Sequence, residues 1–151
     1  VGGVLLILGV AMGLTDYLIF AMIPDQMVDW AQATIESKLL FLLVLNGTLI
    51  LVGCLMDIFS AIIVIVPLIV PLGVVFDIDP IHLGIIFLAN LQLGYLTPPI
   101  GMNLFLASYR FSKPMSEVIK ASLPLLAVFV IGVLLITYVP SLTTWLPGLF
   151  K

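Results

Sequence analysis

The residues best suited to chemistry lie at 93–104, which read LGYLTPPIGMNL within a long uncharged segment. Pro98 and Pro99 have no backbone N–H, so a helix here would leave the carbonyls of Gly94 and Tyr95 without partners. Lipid offers no hydrogen bonds, so such carbonyls are tolerated in a bilayer only where they line a cavity or are buried in protein. The stretch therefore predicts a discontinuous transmembrane helix whose freed carbonyls can hold a cation.

Three further residues around this break favour ligand binding. The hydroxyl of Thr97 offers one more oxygen ligand, and Gly101 allows the backbone unusual dihedral angles just after the prolines. A second half-helix is predicted to start near Met102, and its N-terminal end carries the positive end of the helix dipole. Asn103 lies beside that end, which is a natural place for an anionic group.

The composition indicates a membrane protein. Of the 151 residues, 63% are hydrophobic and 9% are charged, whereas about a quarter of a soluble domain is charged. The five Lys and Arg residues give no basic patch for nucleic acid. The single Cys54 excludes an internal disulfide. The chain starts with Val-Gly-Gly, without Met or a basic signal region, so we interpret it as the later part of a longer protein.

The first two predicted elements differ in polarity. Residues 1–24 are apolar except for Asp16 and long enough for a scaffold-type transmembrane helix. Residues 25–38 are polar, with an apolar side at helical spacing that includes Trp30. This pattern predicts a short amphipathic helix along the membrane surface.

Residues 39–76 contain one formal charge, Asp57, near their midpoint. Two full crossings would normally be joined by a polar loop, and here the joint is only Gly53 to Asp57 with Ser60 just beyond. A re-entrant helical hairpin, with its tip inside protein, fits better. Asp57 can cap the second arm or bind and sense a transported ion, and the two roles are compatible.

The remaining residues predict three more elements. A discontinuous helix over 80–109, capped by Asp79, is followed by a basic connecting segment at 110–122 and a last helix over 123–146. The hairpin returns the chain to its starting side, and the discontinuous helix and the last helix then each cross once. We therefore expect 110–122 and the C-terminus on opposite faces of the membrane. The positive-inside tendency makes 110–122 cytoplasmic and the C-terminus periplasmic.

At this point four segments carry a resemblance to a known family. They are GCLMD at 53–57, IVIVPLIVPLG at 63–73, DIDPIHLGII at 77–86 and above all LGYLTPPIGMNLFLAS at 93–108. Together they resemble the large membrane (M) subunit of tripartite ATP-independent periplasmic (TRAP) transporters. The resemblance covers most of the chain from about Leu39 onward, and only the C-terminal repeat of that subunit is represented.

The resemblance implies half of an all-α, inverted-repeat elevator-type transporter in the bacterial inner membrane. Such a transporter uses a sodium gradient to import a carboxylate-bearing solute, a sugar acid or a dicarboxylate. The implied partners are a periplasmic substrate-binding protein and a small membrane subunit. Carried over by position, one sodium site lies at Gly53, Gly94, Thr97 and Ile100. The substrate or gating candidates are Asp57, Ser60, Pro98, Pro99, Gly101 and Asn103.

Other classes of protein remain as alternatives. The closest is a related inverted-repeat anion carrier that works without a binding protein. A channel also places broken helices around a pore, and a purely structural membrane subunit gives no reason for the Thr-Pro-Pro break. An intramembrane aspartyl protease needs two apposed aspartates in a different local sequence, so we expect no enzymatic activity.

Overall fold

The computed structural model describes residues 2–98 and 101–149, and within these residues it is built from helices without a strand. The all-α prediction is therefore confirmed for the described part of the chain. The helices in order are α1 (Gly2–Phe20), α2 (Ile23–Thr34), α3 (Lys38–Leu55), α4 (Ile58–Val75), α5 (Pro80–Gly94), α6 (Met102–Phe111), α7 (Met115–Tyr138) and α8 (Ser141–Gly148).

Helices α3, α4 and α7 are each long and apolar enough to cross a membrane. The pair formed by Leu5–Phe20 and α2 passes the same test, although the chain bends by 59° between them. Helix α5 is a shorter apolar helix that ends at the predicted break. Large apolar side chains are exposed along α1 and α7, as expected where lipid is the solvent. The chain is thus a multi-pass membrane protein.

The core lies between α5 and the two arms of the hairpin. Helix α3 packs chiefly on α5, whereas α4 packs on α1 and α2 and also contacts α5. Leu49, Ile86 and Leu91 are fully buried in this core, together with Ala61 from α4. Because α3 and α5 share the most extensive contact, the position of the hairpin tip is set by α5.

Helices α3 and α4 form the predicted hairpin, joined through Met56 and Asp57 alone. At the opposite end the ring of Phe41 stacks on that of Phe76, with centroids 4.2 Å apart. Beside them the ammonium group of Lys38 donates to the backbone carbonyl of Asp77. The start of α3 therefore lies beside the end of α4, as a hairpin requires. The depth of the hairpin in the bilayer stays a prediction.

The C-terminal helices differ from the predicted boundaries. The connecting segment at 110–122 and the last helix at 123–146 are replaced by α7, which already starts at Met115, and by the separate helix α8. Pro114 precedes the first turn of α7, where a missing N–H costs nothing. Pro140 disfavours helical geometry at Val139, so α7 ends at Tyr138.

Candidate functional site

Helices α3 and α5 cross with their backbones in contact at Gly53 and Gly94. A Cβ atom on Gly94 would lie 2.6 Å from the carbonyl carbon of Gly53 and 2.7 Å from its Cα. A Cβ atom on Gly53 would lie 3.0 Å from the Cα and from the carbonyl oxygen of Leu91. Both positions are therefore suited only to glycine. The structure brings together the two glycines that were predicted to share a site, and it places the hairpin tip against the end of α5.

The carbonyls of Gly94 and Tyr95 both accept hydrogen bonds, which corrects the prediction that the prolines leave them without partners. The N–H of Thr97 donates to Gly94 O at 2.9 Å, because the end of α5 tightens into a three-residue turn. The N–H of Asn103 donates to Tyr95 O at 3.2 Å, because the chain folds back after the prolines. Each carbonyl oxygen has a second lone pair, so neither bond prevents it from binding a cation.

Gly101 lies where this returning chain meets the break. Its N–H donates to Thr97 O at 3.2 Å. A Cβ atom on Gly101 would lie 2.7 Å from the carbonyl oxygen of Tyr95 and 2.8 Å from that of Thr97. Two carbonyl oxygens thus converge on the buried face of Gly101, and a side chain there would displace them. This is an oxygen-rich surface of the kind that hard cations prefer.

The hydroxyl of Thr97 is half-buried and donates to the carbonyl of Leu93 at 2.9 Å. This bond holds the threonine side chain against the last turn of α5 and supports the bend. The hydroxyl oxygen keeps its lone pairs for a ligand. Pro98 is exposed beside it, whereas Pro99 and Ile100 lie outside the described residues, so their proposed roles stay predictions.

Asp57 caps α4, which confirms the structural role predicted for it. One carboxylate oxygen accepts from the N–H of Phe59 at 3.0 Å and from the N–H of Ser60 at 3.2 Å. The other accepts from the hydroxyl of Ser60 at 2.6 Å. Since the Ser60 hydroxyl donates its proton to Asp57, it can offer a bound anion only lone pairs in this conformation.

A cavity of roughly 170 Å³ separates the hairpin tip from the start of α6. Asp57 and Gly53 line it, and they were both singled out from the sequence. The sequence interpretation did not assign a site role to the other side chains that line it, among them those of Tyr95, Met102 and Phe105. Tyr95 follows Gly94 directly at the break, which was the available signal. The cavity joins the tip, the break and the second half-helix in one place.

A broken apolar helix that lies against a hairpin tip places this chain among membrane transport proteins. The sequence matches the model of the family described as "Tripartite ATP-independent periplasmic transporter, DctM component" over residues 1–142. The chain belongs to this family, as part of a TRAP transporter large permease subunit. The family resemblance carried by the Thr-Pro-Pro segment is thereby confirmed.

Curated relatives agree with this assignment. The C4-dicarboxylate TRAP transporter large permease protein DctM of Vibrio cholerae is 38% identical over 90% of this chain and 29% of its own length. Its Pseudomonas aeruginosa counterpart is 36% identical over 83% of this chain and 30% of its own length. The sialic acid TRAP transporter large permease protein SiaM of Vibrio cholerae is 32% identical over 85% of this chain and 30% of its own length. The chain thus spans about 30% of these relatives.

Proposed function

We propose that this chain forms one half of the transport site of a sodium-driven importer of small organic anions that carry carboxylates. The single observation that carries the proposal is the contact of Gly53 with Gly94, which places a hairpin tip beside a helix break. The other half of the site belongs to the part of the relatives that this chain does not span.

The ion site is the first part of the proposal. The carbonyl oxygens of Tyr95 and Thr97 converge on Gly101, and the Thr97 hydroxyl lies in the same turn. The carbonyl of Gly53, in the last turn of α3, lacks an intrahelical partner by its position. Neutral oxygens from backbone and hydroxyl groups suit a hard monovalent cation. We assign to this turn one sodium ion, with Gly53, Gly94 and Thr97 as ligands and Ile100 completing the set.

The substrate class is the second part. Two relatives are named for C4-dicarboxylates and one for sialic acid, and all of these compounds carry carboxylates. A further relative, 32% identical over 83% of this chain, is named an isethionate permease, and isethionate is a sulfonate. The shared chemistry is a small anion, and the start of α6 beside Asn103 has the dipole to meet it. We assign a carboxylate because the dicarboxylate relatives are the more similar of those compared.

The partners and the mechanism are the third part of the proposal, and membership of the family supports them. A periplasmic substrate-binding protein delivers the anion, and a small membrane subunit braces the scaffold in the bacterial inner membrane. Helices α3 to α8 belong to the part that moves in an elevator-type cycle, α1 belongs to the scaffold, and α2 lies along the membrane surface. The bend of 59° between α1 and α2 separates the scaffold helix from the surface helix.

Uptake into proteoliposomes that contain the complete transporter tests this function. Radiolabelled succinate and sialic acid are offered under an inward sodium gradient and under a matched potassium gradient, each with and without the binding protein. We expect saturable uptake of one of them that requires both sodium and the binding protein. An excess of isethionate, added as a competitor, distinguishes a general anion site from one selective for carboxylates.

Three outcomes would overturn parts of the proposal. Equal uptake under the potassium gradient would remove sodium coupling. Flux that does not saturate would favour a channel. Full activity without the binding protein would favour a stand-alone anion carrier.

A further inference from the structure

Three buried polar side chains from α3, α5 and α7 meet beneath the site. The amide nitrogen of Asn90 donates to the amide oxygen of Asn46 at 2.5 Å. The hydroxyl of Thr137 lies 3.1 Å from the same oxygen and 2.8 Å from the carbonyl oxygen of Val133, so its one proton is shared between two acceptors. Asn46 is 4% exposed, and Asn90 and Thr137 are 0% exposed. We call these three residues the amide junction. It borders the apolar core, and a second buried polar side chain of α5, His82, lies 3.2 Å from the backbone carbonyl of Thr137.

The amide junction is not fully hydrogen-bonded. Among the described residues, the amide nitrogen of Asn46 and the amide oxygen of Asn90 have no partner. An unpaired buried polar atom is unfavourable, whereas apolar side chains of the same shape in both positions can be neutral or stabilising. The stability of the fold therefore does not explain why two asparagines lie here. We look instead to how they fix the position of one helix against the other.

That geometry is the register of α3 against α5. Asn46 lies two turns before Gly53, and Asn90 lies about one turn before Gly94. The other buried side chains of the two helices are mostly apolar, such as Leu49 and Leu91, and hydrophobic contacts are non-directional. A shift of α3 by one residue would bring Val52 or Cys54 to the crossing, where even a Cβ atom would lie 3.0 Å from the Leu91 backbone.

We propose that Asn46 and Asn90 are positioning residues that fix the register of α3 on α5 and so hold the hairpin tip against the helix break. A single buried amide pair can select one register because a shifted register would separate the donor from its acceptor. The inference rests on the proposed sodium site, since the tip and the break supply its ligands. The role is separate from ligand binding, because neither amide lines the cavity at the tip.

Sodium titrations of uptake by the complete transporter test this inference. Asn46→Leu/Asn90→Leu keeps the shape of both side chains and removes the bond, and Asn90→Leu alone keeps the bond between Thr137 and Asn46. We expect both variants to insert, the double variant to melt within a few degrees of the wild type, and both to need about tenfold more sodium for half-maximal uptake. Thr137→Val is the matched control, because it removes the other bond to the same oxygen. It should titrate within about twofold of the wild type.

The outcomes are distinguishable from failure of the proposed function. Wild-type uptake without sodium dependence would reject the sodium site itself. Sodium-dependent wild-type uptake, with Leu variants that titrate like the wild type, would overturn the positioning role. Failure of both Leu variants to fold would also overturn it, because the inference requires apolar side chains to pack there as well as the amides do.

Discussion

The hydroxyl of Thr15 on α1 lies 3.0 Å from the carbonyl oxygen of Ile63 on α4 and 3.0 Å from that of Ala11 in its own helix, so it shares one proton between the two. Ile63 lies four residues before Pro67, and this is the carbonyl that loses its helical partner because proline has no N–H. Thr15 is 8% exposed, so the bond is formed away from water. The carbonyl that Pro67 leaves without a helical partner thus finds one in a side chain of α1.

The first prediction concerns this bond. Thr15→Val keeps the shape of the side chain and should destabilise the protein by about 0.5–1.5 kcal/mol, whereas Thr15→Ser should cost less. Pro67→Ala restores an N–H for Ile63, so the effect of Thr15→Val should shrink in that background. Unfolding in mixed micelles measures all four variants. Equal costs in the two backgrounds would show that Thr15 does not act through the Ile63 carbonyl.

The second prediction concerns the helix crossing. Gly94→Ala places a methyl group 2.6 Å from the Gly53 backbone, so we expect a loss of about 1–3 kcal/mol together with impaired uptake. Gly84→Ala on the same helix meets no atom within 4 Å. This control should be neutral or stabilising, because alanine is the better helix former. Comparable stability of the two alanine variants would contradict the close contact.

Thr97 is the subject of the third prediction. Thr97→Val removes one oxygen ligand and should raise the sodium concentration for half-maximal uptake by about 10- to 150-fold, since a lost contact to a charged ligand costs about 1.5–3 kcal/mol. Thr97→Ser keeps the oxygen and should titrate nearly like the wild type. The structure also gives this hydroxyl a bond to Leu93. If that bond is its entire role, the valine variant will lose stability without a selective change in sodium affinity.

The fourth prediction separates the two roles of Asp57. Asp57→Asn can still accept from the N–H groups of Phe59 and Ser60, so uptake and its sodium dependence should stay close to those of the wild type. Asp57→Ala removes the cap and should cost about 0.5–2 kcal/mol in stability. A well-folded Asn variant with weakened sodium dependence would instead place the charge of Asp57 in the ion site.

The fifth prediction concerns sidedness. A cysteine at position 113 should be labelled by a membrane-impermeant reagent only from the cytoplasm, and a cysteine at position 29 only from the periplasm. Lys113 and Asp29 are both exposed. Buried Cys54 is replaced by serine in the background. Labelling of both positions from one side would reject the predicted topology.

The helix break and the caps could be predicted because they depend on local chemistry. Proline removes a helical hydrogen bond wherever it lies beyond the first turn, and the aspartates at 57 and 79 each precede a helix whose first N–H groups need acceptors. The structure has both aspartates as caps. The start of the last helix was placed wrongly at residue 123, because Pro124 lies inside α7.

The tertiary compensations could not be predicted from the sequence. The carbonyls of Tyr95 and Ile63 find partners in Asn103 and Thr15, which are distant along the chain or lie in another helix. The amide junction was missed for the same reason, because an asparagine in an apolar segment does not reveal its partner. Such partners depend on helix rotation, which is set by packing over the whole structure.

The amide junction also bears on the order of synthesis. Thr137 bonds to Asn46 across 91 positions of the chain, and Asn90 is made 44 positions after Asn46. Asn46 is therefore synthesised before both of its partners. Its amide can form the junction only after α5 has been made, and the third member is added last, with α7.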